Sequence, residues 1–387
     1  MYQIQTLNKI SKKGLAMLGN NYSCADEVDS PDGIILRSFK MHDMELPESL
    51  KAVARCGAGV NNIPLDKCTE KGIVVFNTPG ANANAVKELV LAALFLSSRK
   101  IVQGIEWTKT LAGEGDAISG LVEKGKSSFA GPEIEGKTLG VVGLGAIGVR
   151  VANAAHHLGM DVIGFDPYLS VDAAWHLTRF AHKANDLQEL LEKSDYITIH
   201  VPANPQTKGM FNSEAFASMK NGARLLNFSR DSLVDEADLI AALDEGKVAT
   251  YITDFASEAL LKHDNVICMP HLGASTPESE ENCAVMAASE IKDFLENGNI
   301  KNSVNFPNCD MGVVNGTRIT VLHKNVPNMI KQFTDALASI NINIDNMLNK
   351  SKGDNAYTMI DISGECDSSV TDTIKSIDGV IKVYVLK

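Results

Sequence analysis

Between Thr138 and Asp166 the chain sets an apolar run, a three-glycine turn, a helical stretch and a second apolar run ending in an acid. That order predicts a parallel strand–helix–strand unit. The first run meets Gly143-Leu144-Gly145-Ala146-Ile147-Gly148, which opens a helix running towards Leu158. Glycines there allow a tight turn, close approach of backbone to a pyrophosphate and close helix packing, while the helix N-terminus supplies N–H donors and a positive dipole end. The second run ends at Asp166, 18 residues after Gly148. A carboxylate at that point accepts hydrogen bonds from ribose hydroxyls and repels a 2′-phosphate. Pro167 and Tyr168 follow it, not arginine. These residues imply a dinucleotide site for NAD, not NADP, built from Gly143, Gly145, Ala146, Ile147, Gly148 and Asp166.

The pattern around this unit is of the same kind. Strand signals at 138–142, 161–165, 195–200, 224–228, 250–253 and 266–269 alternate with helical stretches, which predicts one doubly wound sheet. An earlier set, at 33–36, 51–55 and 72–76, predicts a second parallel sheet, followed by a buried helix at 85–102. A helix at 277–296 stops at Asn297-Gly298, and 297–315 is rich in Asn, Pro and Gly, a linker signature. Beyond Gly316 the order strand, helix, strand, strand, helix, strand is ferredoxin-like. With 387 residues, three domains are expected: 1–97 with 278–310 for the substrate, 98–277 for NAD, and 316–387.

Composition narrows the partners. A formal charge of −12 disfavours nucleic acid and anionic lipid, although a few cations can still make one pocket positive. The longest apolar run, Leu89 to Leu96, is far short of the roughly 18 residues a membrane span needs. Seven scattered cysteines, Cys366 among them, show no paired spacing for zinc or disulfides, so no metal is expected and a reduced, cytoplasmic protein is.

Three candidates for chemistry follow strand ends: Arg230, Glu258 and His271. Histidine exchanges protons near neutral pH, and a carboxylate on its other nitrogen fixes the tautomer. Arginine's planar fork matches a 2-hydroxy or 2-keto acid. His200, with Val201 and Pro202 beside it, ends another strand and is placed with the cofactor, not with the chemistry. Arg37, Lys40 and Arg55 follow strands of the first sheet and are the candidate cations for a second anion on the substrate, Arg55 foremost.

The segments Arg230-Asp231-Ser232-Leu233-Val234-Asp235-Glu236, Thr253-Asp254-Phe255 and Pro270-His271-Leu272-Gly273-Ala274-Ser275-Thr276 resemble the signatures of NAD-dependent D-2-hydroxyacid dehydrogenases. So do Arg55-Cys56-Gly57-Ala58-Gly59-Val60-Asn61-Asn62 and Asn77-Thr78-Pro79-Gly80. The resemblance implies a Rossmann-like cofactor domain inserted in a flavodoxin-like substrate domain, with a ferredoxin-like ACT domain at the end. The Pro-His-Leu-Gly-Ala-Ser-Thr run and the ACT-like domain point to the phosphoglycerate-oxidising branch of serine biosynthesis. Within the resemblance Arg230 binds substrate, His271 is the acid/base and Glu258 stands behind it. Asp254, Gly273, Thr78, Thr207, Asn227, Phe228 and Ser229 line the cofactor, while Gly57, Ala58 and Gly59 offer N–H groups to the substrate carboxylate. Departures are Asp231-Ser232 in place of two glycines, and Glu258 four residues after Asp254 where the family has five.

The ACT resemblance also implies an L-serine effector at His323, Asn325 and Asn343, with Asn328 where the family has glycine. Subunit contacts are expected from the 85–102 helix and this domain, giving a homodimer or homotetramer. Alternative readings are a hydroxypyruvate or glyoxylate reductase and a non-catalytic NAD-sensing adaptor.

Overall fold

The computed structural model describes residues 1–364 and 368–387, so Cys366 lies outside the described residues. The chain divides into two compact units, Met1–Ala81 with Pro277–Lys387, and Asn82–Thr276.

The first unit holds two sheets. One is parallel, made of β1 (Tyr2–Leu7), β2 (Tyr22–Ala25), β3 (Gly33–Leu36), β4 (Ala52–Arg55) and β5 (Val74–Asn77) in the order β2-β1-β3-β4-β5. That is the flavodoxin-like order. Strands β1 and β2 go beyond the sequence expectation: in Tyr2–Leu7, polar Gln3 and Gln5 interrupt the apolar residues, so the run lacks the continuous apolar signal of its neighbours.

The second unit carries β6 (Thr138–Val142), β7 (Asp161–Phe165), β8 (His182–Lys183), β9 (Tyr196–Ile199), β10 (Ala223–Asn227), β11 (Val248–Thr253) and β12 (Val266–Cys268). Their order, β12-β11-β10-β9-β6-β7-β8, is that of a doubly wound dinucleotide fold, in which the two-residue β8 takes the third position and β12 is added at the opposite edge. The apolar helix Ala83–Ser98 packs against the helix Ala146–His157, and Val86, Val90, Ala93 and Leu94 share one core with Val141, Val151 and Ala152. The boundary therefore falls at Ala81, ahead of that helix and not after it. The helix also ends earlier than expected, because Arg99 turns extended before a second helix, Ile101–Thr110.

The remaining strands, β13 (Thr317–Lys324), β14 (Ile344–Lys352), β15 (Asn355–Ile362) and β16 (Val380–Leu386), form the expected ferredoxin-like sheet, β14-β15-β13-β16, wholly antiparallel. One face is covered by its own helices, Met329–Ser339 and Ser368–Lys375. The other is not a free face. Leu322, Tyr357 and Met359 join a core that also contains Phe76 and, from the helix Pro277–Asn297, Ile291, Phe294 and Leu295. Arg318, 1% exposed, uses all five N–H groups. It binds both oxygens of Asp361 (2.6 and 3.0 Å) and the carbonyls of Asn297, Gly312 and Met311 (2.8–3.1 Å). The shared core and this clasp place the ferredoxin-like domain expected over 316–387 in one compact unit with the first sheet.

Candidate active site

In the second unit the glycine turn follows β6 as expected. Gly143 takes φ +92°, and a Cβ there would lie 2.6 Å from the His200 carbonyl. At Gly148 a Cβ would stand 1.9 Å from the Gly143 carbonyl oxygen. Gly145 has open space and is the N-cap of the helix Ala146–His157, with no side chain capping it. Two glycines are thus required by the protein's own packing, and the third leaves the helix N-terminus approachable to an anion. Asp166 closes the turn: its carboxylate accepts from Leu144 N (2.8 Å) and Tyr168 N (2.8 Å). These features fit a dinucleotide.

His200 bonds Thr198 Oγ1 through Nε2 (2.9 Å), and its Nδ1 is buried with no hydrogen-bond partner among the described residues. Burial pulls its pKa down to about 3, so it is neutral under physiological conditions and unsuited to acid/base work. Thr207 ties its own loop, donating to Pro202 O (2.6 Å) and accepting from Asn204 N (3.0 Å), with Val201 packed on the core before it. Past β10, the buried Asn227 side chain donates to Arg230 O (2.8 Å) and accepts from Ser229 N (3.1 Å). Ser229 Oγ donates to Ile199 O (2.7 Å), and Phe228 sits in the core. Asn227 and Phe228 therefore act as braces that set the backbone of this loop, leaving the Arg230 side chain exposed.

Beyond β11 and β12, Asp254 and His271 come together. Asp254 is 4% exposed; Oδ2 accepts from Gly273 N (3.2 Å), and Oδ1 has no partner among the described residues. Burial pushes its carboxyl up, while His271, the Gly273 N–H and Arg230 pull the other way. An orphaned, buried carboxylate oxygen suits the N–H groups of a nicotinamide carboxamide. His271 lies edge-on to Phe255, ring centres 5.0 Å apart, and is open to solvent.

Glu258 is a correction. Ser257 caps the one-turn helix Glu258–Leu261, accepting from Leu260 N, and this aims the Glu258 carboxylate outward. It is 84% exposed and pairs with Lys262 at 2.5 Å, one turn on, not with His271. Asp254 is a carboxylate that feels the charges of both His271 and Arg230.

In the first unit, Gly57 takes φ +140°, and its N–H donates to Thr78 Oγ1 (2.7 Å) while Thr78 N returns a bond to Gly57 O. Thr78 is wholly buried, so here its hydroxyl holds the Gly57–Gly59 loop. Asn77 donates to Ala58 O (2.6 Å) from the other side. The Arg55 guanidinium lies over Gly57, where a Cβ would be 1.9 Å from Nη1, and its Nε donates to Arg37 O (3.1 Å). Arg37 is ion-paired with Glu280. Lys40 is exposed. Sequence reasoning missed Asn8 and Glu280, which meet Arg37 only through the fold.

The effector triad is also redistributed. His323 is 2% exposed, with Nδ1 against Lys324 O (2.8 Å) and Nε2 against Thr358 Oγ1 (2.9 Å), so its ring is committed to the core. Asn325 follows β13 near the β14–β15 turn, donating to Gly353 O, whereas Asn343 precedes β14 and donates to Asp345. Since Lys324 pairs with Asn355 and Ile344 with Ile362, these two lie at opposite ends of the sheet, roughly 25 Å apart along eight-residue strands. Asn328 adopts the left-handed conformation (φ +68°) that glycine would supply, as asparagine readily does.

No group of three or more His, Cys, Asp or Glu side chains that could hold a metal occurs among the described residues, and no described helix is long and apolar enough to cross a membrane. Residues 91–273 match the family model described as D-isomer specific 2-hydroxyacid dehydrogenase, NAD binding domain. The chain is 35% identical over 314 residues to a D-3-phosphoglycerate dehydrogenase of Methanocaldococcus jannaschii, covering 79% of this chain and 57% of that protein. It thus spans little more than half of the archaeal relative's length. It is similar to the solved NAD+-bound 3-phosphoglycerate dehydrogenase of Entamoeba histolytica, with TM-score 0.59 and 26% identity over 79% of this chain and 98% of the other. D-3-phosphoglycerate dehydrogenase 1 of Saccharomyces cerevisiae is 32% identical over 345 residues, 83% of this chain and 70% of that protein. NAD is the cofactor of the second unit, and the chain belongs to the D-isomer specific 2-hydroxyacid dehydrogenase family.

Proposed function

We propose that the chain oxidises D-3-phosphoglycerate to 3-phosphohydroxypyruvate, opening the phosphorylated route to L-serine. The observation that carries the chemistry is the buried Asp254 carboxylate of the NAD unit, bonded to the N–H of Gly273 two residues beyond His271 and subject to the charges of both His271 and Arg230. NAD, when bound, accepts the hydride from the carbon bearing the hydroxyl. His271 takes the hydroxyl proton, and Arg230 grips the carboxylate and polarises the carbonyl oxygen. In the first unit the Gly57–Gly59 loop binds the substrate carboxylate, and Arg55, Arg37 and Lys40 serve the phosphate.

An oligomer is supported by the helices Ile101–Thr110 and Ile118–Gly125, which bury no residue within the chain although they carry Ile105, Trp107 and Val122. L-serine control belongs to that oligomer, because Asn325 and Asn343 can meet only across two copies of the chain. The six described cysteines are free thiols, which supports a reducing, cytoplasmic setting.

Rates of NADH oxidation with 3-phosphohydroxypyruvate, hydroxypyruvate and glyoxylate test the substrate. The phosphorylated keto acid should show kcat/KM higher by about tenfold or more. Equal values would replace this reading with a hydroxypyruvate or glyoxylate reductase.

A further inference from the structure

In the first sheet the chain reverses its direction of winding between β1 and β3, and the crevice outside such a reversal is where parallel sheets take ligands. Strand β1 runs into Asn8 and β3 into Arg37. The Asn8 side-chain oxygen accepts three successive backbone N–H groups, of Arg37 (3.1 Å), Ser38 (3.0 Å) and Phe39 (3.0 Å), and Asn8 adopts φ +124° in doing so. These three bonds satisfy the N–H groups and fix the backbone of the turn that carries Arg37. The Arg37 guanidinium projects from this turn, a little over a third exposed, and Arg55 steadies its backbone through Nε.

A carboxylate meets that guanidinium. Glu280 stands in the first turn of the helix Pro277–Asn297, beside Glu278 and Glu281. The helix N-terminus favours acids in general, but these three acids are used differently. Glu281 pairs with Lys13 at the surface (3.1 Å), whereas Glu280 reaches the arginine at the switch point.

We propose that Glu280 is an internal counter-ion that a phosphorylated substrate must displace from Arg37 before it can use that arginine, so that Glu280 sets how tightly the phosphate is held. A phosphate, with nearly two charges and three acceptor oxygens, regains more from Arg37 than one carboxylate gives up. A neutral hydroxymethyl tail gains nothing from Arg37 and leaves the ion pair in place, so the cost of displacing Glu280 falls on the phosphorylated substrate. The proposal rests on the phosphorylated-substrate reading for the nature of the tail, but not for the ion pair itself.

Full-length wild type, Glu280→Gln, Arg37→Gln, the double variant and Glu278→Gln as a charge control test it. Two quantities are read: the affinity for inorganic phosphate by calorimetry, and KM for 3-phosphohydroxypyruvate and hydroxypyruvate. Glu280→Gln should tighten phosphate and lower KM for the phosphorylated substrate by about two- to fivefold, the range of a partly exposed ion pair. Its effect on hydroxypyruvate and the effect of Glu278→Gln should both be smaller than this. The gain should vanish in the double variant, which should match Arg37→Gln. No gain in Glu280→Gln, or an equal gain without Arg37, overturns the role. If Glu280→Gln tightens phosphate but no form turns over 3-phosphohydroxypyruvate, the substrate reading falls and the counter-ion role stands for another dianion. If the phosphorylated substrate is used well and Glu280→Gln shifts nothing, the role falls and the substrate reading stands.

Discussion

Single side chains in this protein are set by neighbours far away in the chain, and two carboxylates show how differently burial can act. Asp254 keeps one oxygen on the Gly273 N–H and offers the other to the cofactor side. Glu290, 7% exposed in the helix Pro277–Asn297, has only Asn302 Nδ2 on Oε1 (2.7 Å), and Oε2 has no partner among the described residues. Burial pushes the Glu290 carboxyl up to about 8, with Asn302 and Lys301 offsetting only part of the cost. The folded state therefore holds a proton that the unfolded chain releases near its ordinary value of 4.5. This stabilisation is complete below that value and is lost as pH rises through about 8. Glu290→Gln should remove the dependence, so its melting temperature relative to wild type should climb between pH 5 and 8 and level off above. Parallel melting curves across that range would show that Glu290 ionises normally.

At the level of elements, what was legible depended on how local the cause is. The turn Gly143–Gly148 was readable because Gly143 and Gly148 answer to atoms of their own strand–turn–helix unit or of the adjoining strand end, and Gly145 leaves the helix N-terminus open. The outward turn of Glu258 was not, since it depends on a serine cap and an i,i+4 lysine that any exposed helix could carry. Strand β1 was hidden because its alternation of polar and apolar residues is weak, and it pairs with β2 and β3 only once the sheet forms. The geometry separates two roles for glycine. Gly148→Ala should disturb the turn, because its Cβ has nowhere to go but into the Gly143 carbonyl, and should lower thermal stability as well as NADH affinity. Gly145→Ala meets open space at an ordinary φ of −75°, so it should melt like wild type yet bind NADH about tenfold or more weakly. Fluorescence titration beside thermal melts checks both; full NADH affinity in Gly145→Ala would mean that the pyrophosphate does not approach this turn.

Over the whole molecule, a chain with net charge −12 takes NAD, itself an anion, as cofactor. The cations proposed for the substrate, Arg37, Lys40 and Arg55 in one unit and Arg230 in the other, would act locally against the global field. The ferredoxin-like sheet shares its core with the substrate unit, so any signal reaching that sheet bears directly on the helix Pro277–Asn297, whose last carbonyl Arg318 holds. The family and its fold were legible from motifs, whereas the fusion of that sheet with the first unit required the packing of Tyr357, Met359 and Arg318 to be seen. Catalysis through His271 separates an enzyme from a protein that merely binds NADH. Turnover of 3-phosphohydroxypyruvate should fall by about two to four orders of magnitude in His271→Ala while NADH binding stays close to that of wild type. Equal and negligible rates in both proteins, with NADH still bound, would contradict the account and leave an NAD-sensing adaptor.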